Sequence, residues 1–104
     1  MANAISIEKL TTEKTGRYVA RVDGVEDEAE LTFTIRGLAL ISADHTFAPA
    51  SMRGTGAAMA LVERMIADAR ANRSKVIPIC PYVLSQYKKH PEWRDVMTDV
   101  SATS

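Results

Sequence analysis

The chain has 104 residues, a common size for one domain, and its hydrophobic fraction of 46% is typical of a globular protein with one core. Thirteen basic and thirteen acidic side chains cancel, which excludes the strong positive field of proteins that bind nucleic acid or anionic membranes. The single cysteine, Cys80, excludes an intrachain disulfide and a thiolate-rich metal cluster, and without a signal peptide or a long apolar run we expect a cytoplasmic protein.

The first part of the chain predicts antiparallel strands. After a weak apolar segment that contains Ile5 and Ile7, residues 17–22 predict a strand that ends at the turn pair Asp23-Gly24. Residues 30–36 alternate between apolar and polar side chains, as a half-buried strand does. We expect these two strands to form a hairpin.

A further strand is predicted just before a glycine-containing loop. The apolar run of residues 38–41 follows Gly37 and is typical of a central strand covered on both faces. This strand leads to Asp44-His45-Thr46, and the glycines at positions 54 and 56 then mark the loop.

The residues after this loop predict the clearest helix of the chain. Apolar side chains recur there at spacings of three and four residues and form one stripe, made of Ala58, Leu61, Val62, Met65, Ile66 and Ala69. Asn72 suits the left-handed position that ends such a helix. Residues 75–80 predict a short buried strand, and Pro81 suits the first turn of a shorter helix that runs through Lys89 and is stopped by Pro91.

Together these elements predict an α/β (α+β) fold, in which one long and one short helix pack on a mixed sheet. We expect a single domain over residues 1–104, with its core between about residues 17 and 93. Residues 101–104 are expected to fray.

The loop before the long helix predicts an anion site. A helix that begins at a glycine-rich loop presents unpaired backbone N–H groups, backed by the positive end of the helix dipole, and glycine allows phosphate oxygens to come close. Arg53, at the start of the loop, could add a charge-assisted contact to a phosphate. The alternative is a tight turn with a helix cap and a solvated arginine, because short glycine patterns recur by chance.

The sequence Arg53-Gly54-Thr55-Gly56-Ala57-Ala58 matches the Q/R-x-x-G-x-G/A signature of the GNAT superfamily of N-acetyltransferases. Three further motifs resemble those of the small, minimal GNAT-like proteins: His45-Thr46, Cys80-Pro81-Tyr82 and His90-Pro91-Glu92-Trp93. The resemblance covers about residues 30–93. It implies that the amides of the loop bind the pyrophosphate of acetyl-CoA, and thus that coenzyme A is the cofactor.

The chain departs from a full GNAT domain on the side of the acceptor. Such domains have two helices between the early strands and further strands after the last helix, whereas only a few residues join the first strands here and little follows Trp93. The resemblance therefore implies a cofactor half that is complete and an acceptor half that is missing or open.

Three side chains are candidates for chemistry in a GNAT-like reaction, in which an amine attacks the thioester directly. Tyr87 resembles the tyrosine that reaches the cofactor sulfur and is the first choice for the general acid, with an aromatic packed on the sheet as the alternative. Cys80, just before a helix, could accept the acyl group transiently, since that position favours the thiolate, or could pack as a small hydrophobe.

His45 follows the predicted central strand, and an imidazole suits a general base at neutral pH. The alternative is a histidine that hydrogen-bonds its own loop through Asp44 or Thr46. His90 fits a residue that satisfies carbonyls at a helix end. The two histidines lie in no cluster with ligand spacing, so no metal site is expected.

Three functions remain open at this stage. The first is an N-acetyltransferase that uses acetyl-CoA and acts on a small amine or an exposed protein amine. The second is an acyl-CoA-binding module with little turnover, or a subunit completed by a second copy or a partner protein. The third is an interaction protein in which residues 53–58 form only a turn.

Overall fold

The five strands of the sheet lie side by side in the order in which they occur in the sequence. The computed structural model describes residues 4–98, and the helices and strands have the following bounds: β1 Ile5–Thr11, β2 Thr15–Val22, β3 Glu28–Gly37, β4 Leu40–Phe47, α1 Ala57–Asn72, β5 Lys75–Pro78 and α2 Pro81–Lys89. Short 3-10 helices cover Ala50–Met52 and Pro91–Asp95.

Strands β1 to β4 are antiparallel neighbours, and β5 joins the edge of β4 in parallel. This change of direction follows from the connections, because short turns link β1 to β4 whereas α1 carries the chain back before β5 begins. The segment after Pro91–Asp95 bridges the outer edge of β5 through Met97 and Val76. The predicted mixed sheet with one long and one short helix is thus confirmed.

The core lies between α1 and one face of the sheet. The alternating strand residues Tyr18, Ala20, Leu31 and Phe33 are buried there and belong to one hydrophobic cluster with the helix. The helix supplies the predicted stripe, in which Leu61, Val62, Met65, Ile66 and Ala69 are all buried and Ala58 is half-buried. Periodicity of 2 in the strands and 3.6 in the helix therefore gives the two surfaces that pack together. Helix α2 packs against β4 and β5.

The expectation of a strand at residues 38–41 that is covered on both faces is wrong. Leu38 is fully exposed and Ala39 is exposed as well, because these two residues form the turn of the β3–β4 hairpin, in which Gly37 pairs with Leu40. Strand β4 begins at Leu40, which is half-buried, and continues as far as Phe47. Residues 44–46 therefore lie within the strand and do not follow it.

Two boundaries in the second half also differ from expectation. Helix α1 ends in a left-handed residue as predicted, but that residue is Arg73 (φ 55°) and Asn72 is the last helical one. Strand β5 ends at Pro78, so Ile79 and Cys80 lie outside it. The short helix from Pro81 to Lys89 is confirmed. Residues 101–104, which were expected to fray, lie outside the described residues.

A polar contact that the sequence did not indicate ties α1 to the sheet. The Tyr18 hydroxyl donates to Asp68 Oδ2 at 2.7 Å, and Arg64 Nε donates to Asp68 Oδ1 at 3.2 Å. Burial raises the pKa of Asp68, but the hydrogen bonds from Tyr18 and Arg64 and the charge of Arg64 outweigh burial and hold it below its ordinary value. The ionised form of Asp68 therefore stabilises the fold.

Tyr18→Phe is expected to lower the free energy of unfolding at pH 7 by roughly 2 kcal/mol, the usual range for a hydrogen bond to a charged group. Since the pKa of Asp68 is lower in the folded state, its stabilisation is present above the unfolded pKa and is lost as pH falls through the folded pKa. Urea denaturation at pH 7 and pH 3 should show the deficit of the variant shrinking in acid.

The control is Tyr82→Phe, because Tyr82 is half-buried and its hydroxyl has no carboxylate partner within residues 4–98. Its effect should be small and independent of pH. A Tyr18→Phe deficit of the same size at both pH values would show that ionised Asp68 is not the group that the hydroxyl stabilises.

Candidate functional site

The loop that joins β4 to α1 is built around two left-handed glycines. Gly54 has φ 83° and Gly56 has φ 82°, a conformation that glycine adopts without the steric penalty of a Cβ. Gly56 is the N-cap of α1. Between them, the Thr55 hydroxyl donates to the carbonyl of Met52 at 2.6 Å and accepts from the Ala57 amide at 3.2 Å. These two hydrogen bonds of Thr55 stabilise the conformation of the loop.

The same geometry leaves backbone donors free at the start of the helix. Within the described part of the chain, the amides of Gly54, Gly56, Ala58 and Met59 have no acceptor, whereas those of Thr55 and Ala57 are satisfied within the loop. The free amides stand at the positive end of the dipole of a 16-residue helix. This arrangement can bind an anion through main-chain donors alone.

The space next to the two glycines of the loop is open. A Cβ built on Gly54 or Gly56 would meet no atom within 4 Å, so the side of the loop that a side chain would occupy is open. Arg53 is exposed, and no carboxylate among residues 4–98 forms a salt bridge with it. A positive charge without an ion-pair partner among these residues therefore stands next to the free amides.

Strands β4 and β5 separate just before this loop. Their pairing ends at Ala43 and Pro78, after which the Cys80 amide donates to the Ala43 carbonyl at 2.8 Å. A bulge coincides with this point, since Thr32 pairs with His45 while Phe33 pairs with Ala43. Asp44 is the extra residue of the bulge, and residues 45–47 of β4 pair with β3 but not with β5. One edge of β4 is therefore open along the path to the glycine loop.

Cys80 lies at the end of this gap. It is the N-cap of α2 and only 2% exposed, and its Sγ donates to Thr46 Oγ1 at 3.4 Å. The thiol is therefore beside the open edge of β4, and its side chain belongs to the hydrophobic cluster. The Cys80 side chain therefore packs in the hydrophobic cluster and also lines the gap between β4 and β5.

Tyr87 lies on α2, half-buried against the hydrophobic cluster. Its hydroxyl makes no hydrogen bond within residues 4–98 and is available to a ligand. A second tyrosine of α2, Tyr82, is also half-buried, and burial followed by the charges of Cys80 and Glu63 raises its pKa.

The structure does not bring His45 to Cys80. His45 is exposed and pairs with Thr32, while its neighbour Thr46 points to the opposite face of the sheet, where it contacts Cys80. Nor does the His45 ring bond Asp44 or Thr46 among residues 4–98, because Asp44 accepts from Ser42 and Thr34 and Thr46 accepts from Cys80.

His90 links α2 to the turn that follows it. Its amide donates to the carbonyl of Tyr87, its ring stacks on Trp93 with centroids 4.6 Å apart, and its Nδ1 lies 3.2 Å from Glu92 Oε2. The backbone of His90 thus satisfies a carbonyl at the end of α2.

Two side chains near the gap were missed by the sequence reasoning. Thr46 contacts the Cys80 thiol, and Asp44 projects from the bulge to the face opposite α1. The pair His45-Thr46 was noted as a motif, but which of its members faces the gap depends on the bulge. A one-residue bulge leaves no mark in the hydrophobic pattern.

No helix among the described residues combines the length and the apolarity that crossing a bilayer requires. No curated protein matches the chain. Among solved structures, it is similar to a GCN5-like protein from Staphylococcus aureus determined by NMR, with 23% identity, 89% of each chain covered and a TM-score of 0.62. That likeness concerns the fold. The family described as GCN5-related N-acetyl-transferase matches residues 17–96. By this match over most of its length, the chain belongs to the GCN5-related N-acetyltransferase (GNAT) family.

Proposed function

We propose that the protein is an acetyl-CoA-dependent N-acetyltransferase that transfers an acetyl group directly to an amine. The observation that carries the proposal is the loop at residues 53–58, with free amides at Gly54, Gly56 and Ala58, a helix dipole behind them and Arg53 beside them. These groups would hold the pyrophosphate of coenzyme A. Members of the family generally use acetyl-CoA, which agrees with this donor set.

The open edge of β4 supports a path for the rest of the cofactor. Pantetheine is an extended chain with two amide groups, and residues 45–47 offer backbone donors and acceptors along the edge that β5 does not pair. An amide-containing chain can add to such an edge as a further strand does. This path would bring the thioester toward Ala43 and Cys80, where β4 and β5 separate.

The transfer requires one new bond, one broken bond and two proton transfers, one from the amine to a base and one from an acid to the thiolate. The amine nitrogen would form a bond to the acetyl carbon while the bond from that carbon to sulfur breaks, and the thiolate of coenzyme A would leave. Tyr87 is the proposed donor of the proton to this thiolate, because its hydroxyl is free and its ring is fixed on α2. An amine that arrives as an ammonium ion would first lose one proton to solvent, and its nitrogen would lose a second proton on attack. The candidate base is His45, whose side chain lies on the opposite face from the contact between Thr46 and Cys80, so it would accept this proton through bridging water.

A second function, an acyl-CoA-binding module with little turnover, is favoured by one observation. Only residues 12–14 connect β1 to β2, so the described chain has no helices there to enclose an acceptor. In this version a second copy of the chain or a partner protein would complete the acceptor side.

Two measurements test the proposals together. Calorimetry with coenzyme A should show one binding site per chain, and acetyl transfer from acetyl-CoA should be detected with at least one member of a panel of small and peptide amines. Binding without transfer would favour the module. The absence of any coenzyme A binding would leave residues 53–58 as only a turn.

Arg53→Ala is expected to weaken coenzyme A more than it weakens pantetheine, which lacks phosphates. The loss should shrink as salt rises from about 0.05 to 0.5 M, because a solvent-exposed cation acts on phosphate through a screened field. Isothermal titrations of the two ligands at both salt concentrations measure this difference.

The matched control is Arg94→Ala, which removes one positive charge from an exposed position after α2. It should leave the affinity for coenzyme A almost unchanged. An Arg53→Ala loss that is equal for both ligands and insensitive to salt would make Arg53 a structural residue.

A further inference from the structure

The face of the sheet opposite α1 carries a cleft of about 340 Å³, lined by both apolar and polar residues. Its wall includes Thr15 and Arg17 from β2, Thr32 and Thr34 from β3, and Asp44 from β4. The volume lies within the range of about 300–1,000 Å³ that is typical of small-molecule sites. The cleft is separate from the glycine loop, none of whose residues lines it.

Asp44 is held in a fixed orientation at one end of this cleft. The Ser42 hydroxyl donates to its Oδ1 at 2.7 Å and the Thr34 hydroxyl donates to its Oδ2 at 2.5 Å. Ser42 is completely buried and in turn accepts from Arg36 Nε at 3.0 Å. Because an ionised carboxylate has about four acceptor positions, this network orients Asp44 and leaves acceptor positions for a ligand.

The charges of the cleft favour a cation. Asp44 is the only carboxylate among the lining residues, and Arg17 is the only cation. Arg17 forms an ion pair with Glu30 at 3.2 Å, so its charge is compensated outside the lining. Asp44 has no cationic partner within 4 Å among residues 4–98. The Arg36 guanidinium reaches Asp44 only through the Ser42 hydroxyl, so Asp44 is the carboxylate of the cleft without a direct ion pair among these residues, and the Thr34 hydroxyl is bonded to it.

The acidic end of the cleft lies beside the gap between β4 and β5. Asp44 is the first residue of β4 after its pairing with β5 ends, and it occupies the bulge opposite Thr32 and Phe33. A ligand bound to Asp44 would therefore approach the strand at the position where its other edge becomes available to pantetheine.

From the cleft, its charge and its position, we propose that this surface binds the acceptor as a small ammonium compound, with the cation on Asp44 and the remainder among Thr15, Thr32 and Thr34. This inference rests on the proposed acetyl transfer and adds the class of acceptor, a small aliphatic amine. The limited volume favours a small molecule over a folded protein substrate.

The test uses the full chain labelled with ¹⁵N and n-butylammonium as the probe. The amide signals of Thr32, Thr34 and Asp44 should shift and saturate with n-butylammonium, while 1-butanol, which has the same length without the charge, should leave them in place. Asp44→Asn should weaken the binding at least tenfold. Glu63→Gln, which removes a carboxylate from the exposed side of α1, should bind as the parent does.

A second variant tests the cleft without changing Asp44 or the side chains that hydrogen-bond it. Thr32 is half-exposed on β3, so Thr32→Arg can place a positive charge in the cleft, and it should abolish the shifts caused by n-butylammonium. Equal shifts with 1-butanol, shifts confined to other residues, or unchanged binding in Asp44→Asn and Thr32→Arg would each overturn the proposal.

Acetyl-CoA titrations separate this proposal from the proposed function. Asp44→Asn should bind acetyl-CoA as tightly as the parent, and a loss of that binding would overturn the assignment of Asp44 to the acceptor. A parent that binds n-butylammonium in the cleft but does not bind acetyl-CoA would contradict the proposed acetyl transfer and leave the cation site standing.

Discussion

Gly56→Val is expected to abolish the stabilisation that coenzyme A gives to the parent protein while the variant still folds. At a ligand concentration of about 100 times its dissociation constant, the parent should gain roughly 2.7 kcal/mol, which corresponds to about 10–20 °C in Tm for a chain of this length. The valine side chain would occupy the open space next to the free amides, where the phosphate is proposed to lie. Thermal unfolding with and without coenzyme A measures the effect.

A matched control separates loss of the ligand from loss of stability. Gly24 has φ 84°, almost the same backbone conformation as Gly56, and a Cβ there would also meet no atom within 4 Å. Each valine should therefore cost about 1–2 kcal/mol or somewhat more, as a left-handed residue with a Cβ does. Gly24→Val should keep the full gain with coenzyme A. The same gain in Gly56→Val as in Gly24→Val would remove the glycine loop from the cofactor site.

Much of the fold follows from periodicity that is visible in the sequence. The alternation of residues 30–36 places Leu31 and Phe33 on the face toward α1, and the stripe from Leu61 to Ala69 covers that face. These patterns predict the packing correctly because burial of apolar side chains is the largest favourable contribution to the stability of both β3 and α1. Pro81 and Pro91 bound the second helix for a local steric reason that is equally visible.

The errors occurred where a single residue decides the geometry. Leu38 is as apolar as its neighbours, yet it occupies a two-residue turn and is fully exposed, because the register of the hairpin places the turn there. Similarly, His45 and Thr46 face opposite sides as neighbours in any strand do, and the bulge at Asp44 decides which of them faces Cys80. Register and bulges depend on pairing between distant residues, which the local sequence does not specify.

In the candidate site, too, some features could be predicted from the sequence and others could not. The glycine loop could be predicted, because a short signature at a strand–helix junction has a direct backbone meaning. The surroundings of Cys80 and the orientation of Asp44 could not, since both depend on contacts made across the sheet. Sequence reasoning grouped Tyr87, Cys80 and His45, and the structure places the side chain of His45 on the opposite face from the contact between Thr46 and Cys80.

Tyr87→Phe is expected to reduce the rate of acetyl transfer on the order of a hundredfold, while Cys80→Ala keeps a substantial fraction of it. The first variant removes only the hydroxyl proposed to protonate the leaving thiolate, and general acid catalysis typically contributes this much. The Cys80 thiol is almost fully buried, and its proton is engaged with Thr46. A direct attack by the amine needs no nucleophile from the protein. Steady-state rates with saturating acetyl-CoA compare the variants.

Tyr18→Phe is the control for Tyr87→Phe. It also removes a tyrosine hydroxyl, but from a buried position against Asp68, and it should retain the parent's transfer rate below its unfolding temperature.

Two observations decide between direct transfer and a covalent route. In a covalent route the order of the variants reverses: Cys80→Ala would eliminate turnover, and acetyl-CoA alone would leave an acetyl group on Cys80, visible as a mass increase of the intact protein. An acetylated Cys80 that discharges to the amine at the steady-state rate would make Cys80 the nucleophile and contradict the direct mechanism.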